Sequence, residues 1–172
     1  MKNSKESLSD LYEEQVNSLY SYGCKFTVDR DLVKDCIHDV FVKLYEKEDI
    51  SAIRNQKFYL LQTFKNRLLD ELARAQPESI DEVTFSYLQE AQDEDRQMDI
   101  DETDQLRKKY IEKIFENLTG RQKEAVYLYY IEELSYEEVG QLLGMNYQSV
   151  RNIVHRALVR LREKLGERPD FL

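Results

Sequence analysis

Apolar residues recur along this chain at the three-to-four-residue spacing of amphipathic helices, with little support for strands. Leu8, Leu11, Tyr12, Val16, Leu19 and Tyr20 form one stripe that stops at Gly23, a residue suited to a helix C-terminus. A second helix begins near Asp29 or Asp31 and runs to about Tyr45. Its double stripe of Leu32, Val33, Cys36, Ile37, Val40, Phe41, Leu44 and Tyr45 leaves Lys34, Asp35, His38, Asp39 and Lys43 toward the outside. A third, from about Lys57 to Ala75, buries Leu61, Phe64, Leu68 and Leu72. These three helices make one compact unit, with a loop from Lys47 to Gln56 before the last of them.

The last third repeats the pattern with sharper punctuation. Ile111, Ile114, Phe115 and Leu118 share one helical face, and Thr119-Gly-Arg-Gln122 is a capping-box sequence that starts a new helix carrying Ala125, Val126, Leu128 and Tyr129. Ser135-Tyr-Glu-Glu138 is a second capping box, opening a short helix with Val139, Leu142 and Leu143 inside and Gly144 as its breaker. A longer helix follows, N-capped by Asn146, and small Gly140 lets the two approach closely. Val150, Val154, Ala157, Leu158 and Leu161 fix its buried face, so Gln148, Arg151, Asn152, His155 and Arg156 lie on the other. A short helix, a tight turn and a longer helix at this spacing predict a helix-turn-helix, with the second helix in the major groove of DNA. Gln and Asn suit adenine, and Arg suits guanine or the backbone.

The net charge of −9 at first opposes a nucleic-acid partner, but its distribution reverses that inference. Residues 76–105 alone carry −10, against −1 for residues 1–75 and +2 for residues 106–172. The middle segment opens with Pro77 and has only scattered apolar residues, which predicts an acidic flexible linker between two small helical domains, 1–75 and 106–172. The fold class is all-α. Each good base contact contributes only about 1–3 kcal/mol of discrimination, so a lone module of charge +2 should bind DNA weakly and need a partner.

Other chemistry finds no support. The acidic run from Asp99 has Asp104 sixth and Tyr110 twelfth where a calcium loop needs Gly and Glu, and the frame from Asp93 fails likewise. Cys24 and Cys36, without a C-x-x-C or a histidine at ligand spacing, read as reduced structural thiols. His38 and His155, with no nucleophile or metal motif, offer no catalytic site, so neither enzyme activity, metal nor cofactor is expected. Without a signal-peptide or membrane-spanning segment, the reading is a cytoplasmic protein with no membrane insertion.

Three motifs in order give a family resemblance. Asp35-Cys-Ile-His-Asp-Val-Phe-Val-Lys-Leu44, Phe64-Lys-Asn-Arg-Leu-Leu-Asp70, and Leu134-Ser-Tyr-Glu-Glu-Val139 through Leu158 are similar to motifs of the extracytoplasmic-function sigma factors, the two-domain promoter-recognition subunits of bacterial RNA polymerase. The resemblance implies that Asp35, His38, Asp39, Phe41 and Lys43 contact the polymerase core, although Phe41 also falls on the buried stripe and both readings stand. It implies that Ile50, Ile53, Asn55, Lys57, Tyr59 and Asn66 capture and open the downstream promoter element, with Tyr59 equally readable as a half-buried aromatic. The upstream element falls to Gln148, Ser149, Arg151, Asn152, His155 and Arg156. His38 stands where the family usually has Gln, Ile153 where a basic residue is frequent, and Gly140 where Ala is usual. The partners implied are the polymerase core, promoter DNA and an anti-sigma factor. The competing reading is a free-standing helix-turn-helix regulator that binds DNA as a dimer without polymerase.

Overall fold

The computed structural model describes residues 4–46, 53–75, 85–86, 109–110 and 112–166. Six helices are delimited among them: α1 (Ser4–Gly23), α2 (Arg30–Tyr45), α3 (Gln56–Ala75), α4 (Gly120–Tyr130), α5 (Tyr136–Leu143) and α6 (Tyr147–Leu165). No strand occurs among the described residues. The chain divides into two units, residues 1–83 and 84–172.

In the first unit α1, α2 and α3 pack pairwise on one another. The start of α2 is fixed by Asp29, whose carboxylate accepts the Leu32 N–H at 3.0 Å. Asn55 does the same for α3, its side-chain oxygen accepting the Phe58 N–H at 3.0 Å. Leu11, Leu19, Val33, Cys36, Ile37, Val40, Phe41, Leu44, Leu61, Phe64 and Leu68 are buried, as their spacing predicts. Leu72 is only half-buried, and Tyr45, expected inside, is 57 % exposed because α2 ends there, beyond the core. Gly23 does end α1, but not through a left-handed backbone: a Cβ there would lie 2.7 Å from both the Phe64 ring and Val33. The glycine is needed for close packing of all three helices. Lys65 is buried too, its ammonium 6.0 Å over the Phe26 ring, while its stem covers apolar surface.

The second unit is organised by its caps. Thr119 Oγ1 accepts the Gln122 N–H at 3.3 Å and Gln122 Oε1 accepts the Thr119 N–H at 3.1 Å. Ser135 and Glu138 reciprocate at 3.2 and 2.9 Å. Each pair satisfies two backbone donors that a helix start would leave bare. Gln122 Oε1 also accepts from Arg160 Nη1 at 3.0 Å, tying the start of α4 to α6. Leu118, Val126 and Ala157 pack together, flanked by Phe115 and Leu161, and α4, α5 and α6 contact one another. Ile111 lies outside the described residues.

Between α5 and α6 the backbone turns through Gly144, which adopts the left-handed conformation with φ 65°. Gly140 is tight for a different reason from helix–helix approach alone. A Cβ there would stand 2.5 Å from the Met145 carbonyl oxygen and 3.5 Å from Val150 Cγ2, so the turn backbone itself occupies the space. Phe85, which the sequence places in the acidic segment, is buried in this unit, its ring 5.4 Å from that of Tyr127. Burying a ring of that size outweighs the polar character of its neighbours in sequence.

Candidate nucleic-acid interface

Asn146 starts α6 by accepting the Ser149 N–H on Oδ1 at 2.8 Å. Val150, Val154 and Ala157 are then buried, and the helical period turns Gln148, Arg151, Asn152, His155 and Arg156 outward, all five exposed. Ser149 and Ile153 are half-buried on the flank. The predicted reading face is thus one continuous polar surface, three of its five side chains able to carry positive charge. Within it Gln148 Nε2 donates to Asn152 Oδ1 at 3.2 Å, one helical turn apart.

Beside the first turn of α6 stands a group of tyrosines, of which helical periodicity singles out only Tyr129. Tyr129 at the end of α4 stacks on Tyr136 at the start of α5 (centroids 4.4 Å apart, planes 9° apart), and Tyr147, the first residue of α6, meets Tyr136 edge-on at 5.6 Å. Burial pushes the Tyr136 hydroxyl above its ordinary range, helped by its hydrogen bond with Tyr129. It stays protonated, a donor, through physiological pH. For Tyr136 and Tyr147 the only sequence signal was the crowding of aromatic residues at three successive helix ends.

In the first unit, Asn66 is exposed on α3, while Lys57, Tyr59 and Ile53 are half-buried near its start. Ile50 lies outside the described residues. Asn55 is exposed but already employed as the α3 cap, a role that accounts for its residue type without DNA. On α2, Asp35, His38 and Lys43 are exposed. Asp39 is half-exposed and engaged: Arg67 Nε and Nη2 both donate to its Oδ2, at 3.0 and 2.8 Å. Arg67 Nη1 also donates to Glu71, which accepts from Arg74 Nη1 at 2.9 Å. This chain of charges joins the two faces that the resemblance assigns to polymerase and to DNA. Phe41 is buried, its ring 4.9 Å from Tyr12 and edge-on to it, so the structure places it in the core; Val42 and Tyr45 are the exposed apolar residues at that end of α2.

Under this network sits Cys36. Burial raises its thiol from about 9 to about 11 against the opposing pull of Arg67, with Glu71, Asp39 and Asp35 adding to the rise. A thiol so protonated is a poor nucleophile and a poor ligand. Among the described residues no group of three or more His, Cys, Asp or Glu could hold a metal ion, and no helix is long and apolar enough to cross a membrane.

Comparison with known proteins adds independent findings. The model of the family described as sigma-70, region 4, matches residues 108–161, the span of the helix-turn-helix. A curated relative, the ECF RNA polymerase sigma factor SigM of Bacillus subtilis, is 23% identical over 159 residues, 91% of this chain and 93% of that protein. The RNA polymerase sigma-E factor of Streptomyces avermitilis is 42% identical over 55 residues, 32% of this chain and 31% of its own length. Among solved structures, the sigma factor RpoE in complex with the anti-sigma factor NepR from Bartonella quintana has the same fold, with a TM-score of 0.57 at 22% identity over 91% of this chain and 97% of that one. The second unit thus matches sigma-70 region 4 over residues 108–161, and the whole chain is similar, nearly end to end, to an extracytoplasmic-function sigma factor.

Proposed function

We propose that this protein is an alternative sigma factor that joins the RNA polymerase core and directs it to a specific set of promoters, acting by binding rather than by chemistry of its own. The observation that carries this reading is the exposed face of α6, Gln148, Arg151, Asn152, His155 and Arg156, on a doubly capped helix-turn-helix in a chain whose other unit presents Asp35, His38 and Lys43 on α2 and Asn66 on α3. In this assignment the second unit anchors the upstream element. The first unit, through Asn66 with Ile50, Ile53, Lys57 and Tyr59, holds the downstream element open, while Asp35, His38, Asp39 and Lys43 meet the core. The work is cytoplasmic, where polymerase and promoter are. The RpoE structure contains an anti-sigma factor, which supports a protein inhibitor of the same class here.

The test mixes the purified chain with bacterial core polymerase and measures promoter-dependent transcription. Initiation at defined start sites is expected, with Asn66→Ala impairing opening, read by permanganate reactivity of unpaired thymines, more than initial binding. Tight binding to a palindromic duplex without polymerase, and no transcription with it, would favour the free-standing regulator instead.

A further inference from the structure

Amide side chains on a reading helix usually rotate freely, so that each can present a donor or an acceptor to a base. On α6 the hydrogen bond from Gln148 Nε2 to Asn152 Oδ1 favours one arrangement of the two amides. Once Gln148 spends an N–H on Asn152, its free oxygen, Oε1, is an acceptor. Once Asn152 accepts on Oδ1, the group it has left to offer is the Nδ2 amino group, a donor of two protons. Both residues are exposed, and both stand in the first two turns of the helix, the part that meets base edges in a helix-turn-helix.

We propose that Gln148 and Asn152 read one adenine together, Gln148 Oε1 accepting from its N6 amino group and Asn152 Nδ2 donating to its N7. The inference rests on the sigma-factor reading and names the base that the upstream face selects. Adenine alone offers a donor and an acceptor side by side in the major groove. Guanine presents two acceptors, O6 and N7, so Gln148 Oε1 would face a second acceptor. Turning the Gln148 amide to suit guanine would break its bond to Asn152. Cytosine and thymine each satisfy one member of the pair and leave the other unmatched. The bond orders the two side chains in part before DNA arrives, so less conformational freedom is lost on binding.

The test uses the full chain in complex with core polymerase. A duplex library randomised over the upstream element is selected with the wild-type complex, and one position is expected to be held as adenine. Replacing that base by 7-deazaadenine removes N7, and replacing it by unsubstituted purine removes the N6 amino group. Each change should weaken wild-type binding about tenfold, the size of one good base contact. Asn152→Ala should lose the response to 7-deazaadenine, and Gln148→Ala the response to purine, with the helical content of both variants unchanged. Adenine enrichment that survives in both variants, or a Gln148→Ala complex still sensitive to purine, overturns the paired reading alone. Failure of the wild-type complex to enrich any duplex overturns the sigma-factor reading and this one with it.

Discussion

Cys36 shows how much one buried side chain reports about its surroundings. Its thiol is raised to about 11, chiefly by burial, so the folded chain holds that proton more firmly than the unfolded chain, whose thiol titrates near 9. Between these values the unfolded state has lost the proton and the folded state keeps it, which makes stability fall as pH rises. The contribution is complete below about pH 9 and gone above about pH 11, at most about 3 kcal/mol for two units at about 1.4 kcal/mol each. Urea midpoints of wild type and Cys36→Ala, compared from pH 8.5 to 10.5, should therefore converge as pH rises; a constant gap would contradict the assignment. Gly140 poses a contest of a different kind. Alanine is favoured over glycine in a helix by about 1 kcal/mol, but its Cβ would stand 2.5 Å from the Met145 carbonyl oxygen, and overpacking costs about 1–3 kcal/mol. Backbone is the harder of the two to displace, so Gly140→Ala should come out destabilising by about 1 kcal/mol. Hydrogen exchange of the Ser149 and Val150 amides should quicken in the variant; unchanged protection would mean that the turn shifts without cost.

Among the elements, α2 and α3 are joined by more than their apolar stripes. Asp39, Arg67, Glu71 and Arg74 form one chain of charges across their contact, with the Arg67 and Glu71 side chains about a quarter exposed, at 25% and 23%. A single exposed pair contributes about 0.2–1 kcal/mol, so replacing Arg67, which holds two partners, should cost about 1 kcal/mol. Arg67→Met should loosen α3, seen as faster amide exchange along residues 60–70. It should also reduce polymerase binding less than it reduces promoter opening, because Asp39 is freed while α3 is not held. Equal loss in both would assign Arg67 a purely structural role. This pair also marks where sequence reading ends. The helices, their caps and the outward face of α6 were legible because they follow from local spacing: Thr119 with Gln122, Ser135 with Glu138, and Val150, Val154 and Ala157 against Gln148 and Arg151. Asp39 and Arg67 are 28 residues apart, and nothing local announces their contact. Asn55 was legible as a polar residue at a helix start but was assigned to DNA, although a cap explains it first. Tyr22, fully buried at the end of α1, stands three residues beyond Leu19 on the same stripe and meets Phe26 four residues on. Phe85, in contrast, carries no periodic signal because it is placed by packing against Tyr127, distant in sequence.

For the whole molecule, the charge ledger turns on residues 76–105, which hold 11 of the acidic residues and one basic residue. The stretch richest in acid, Asp93 to Asp104, lies outside the described residues. A charge of this density acts only within about 8 Å at physiological ionic strength, so it must work on whatever surface the segment meets. We propose two alternative surfaces for it. Basic polymerase channels that otherwise take nucleic acid would attract it, and the exposed Arg151 and Arg156 would be shielded from DNA by it in the free chain. Replacing Asp93, Asp95, Asp99, Asp101 and Asp104 by Asn separates these uses. If the segment mimics nucleic acid, affinity for core polymerase should fall, and fall most at low salt. If it guards the reading helix, polymerase-free binding to the promoter duplex should rise while core affinity holds. Five charges removed without change in either measurement would leave the acidity with no electrostatic role, and the segment would then serve only to join the two units.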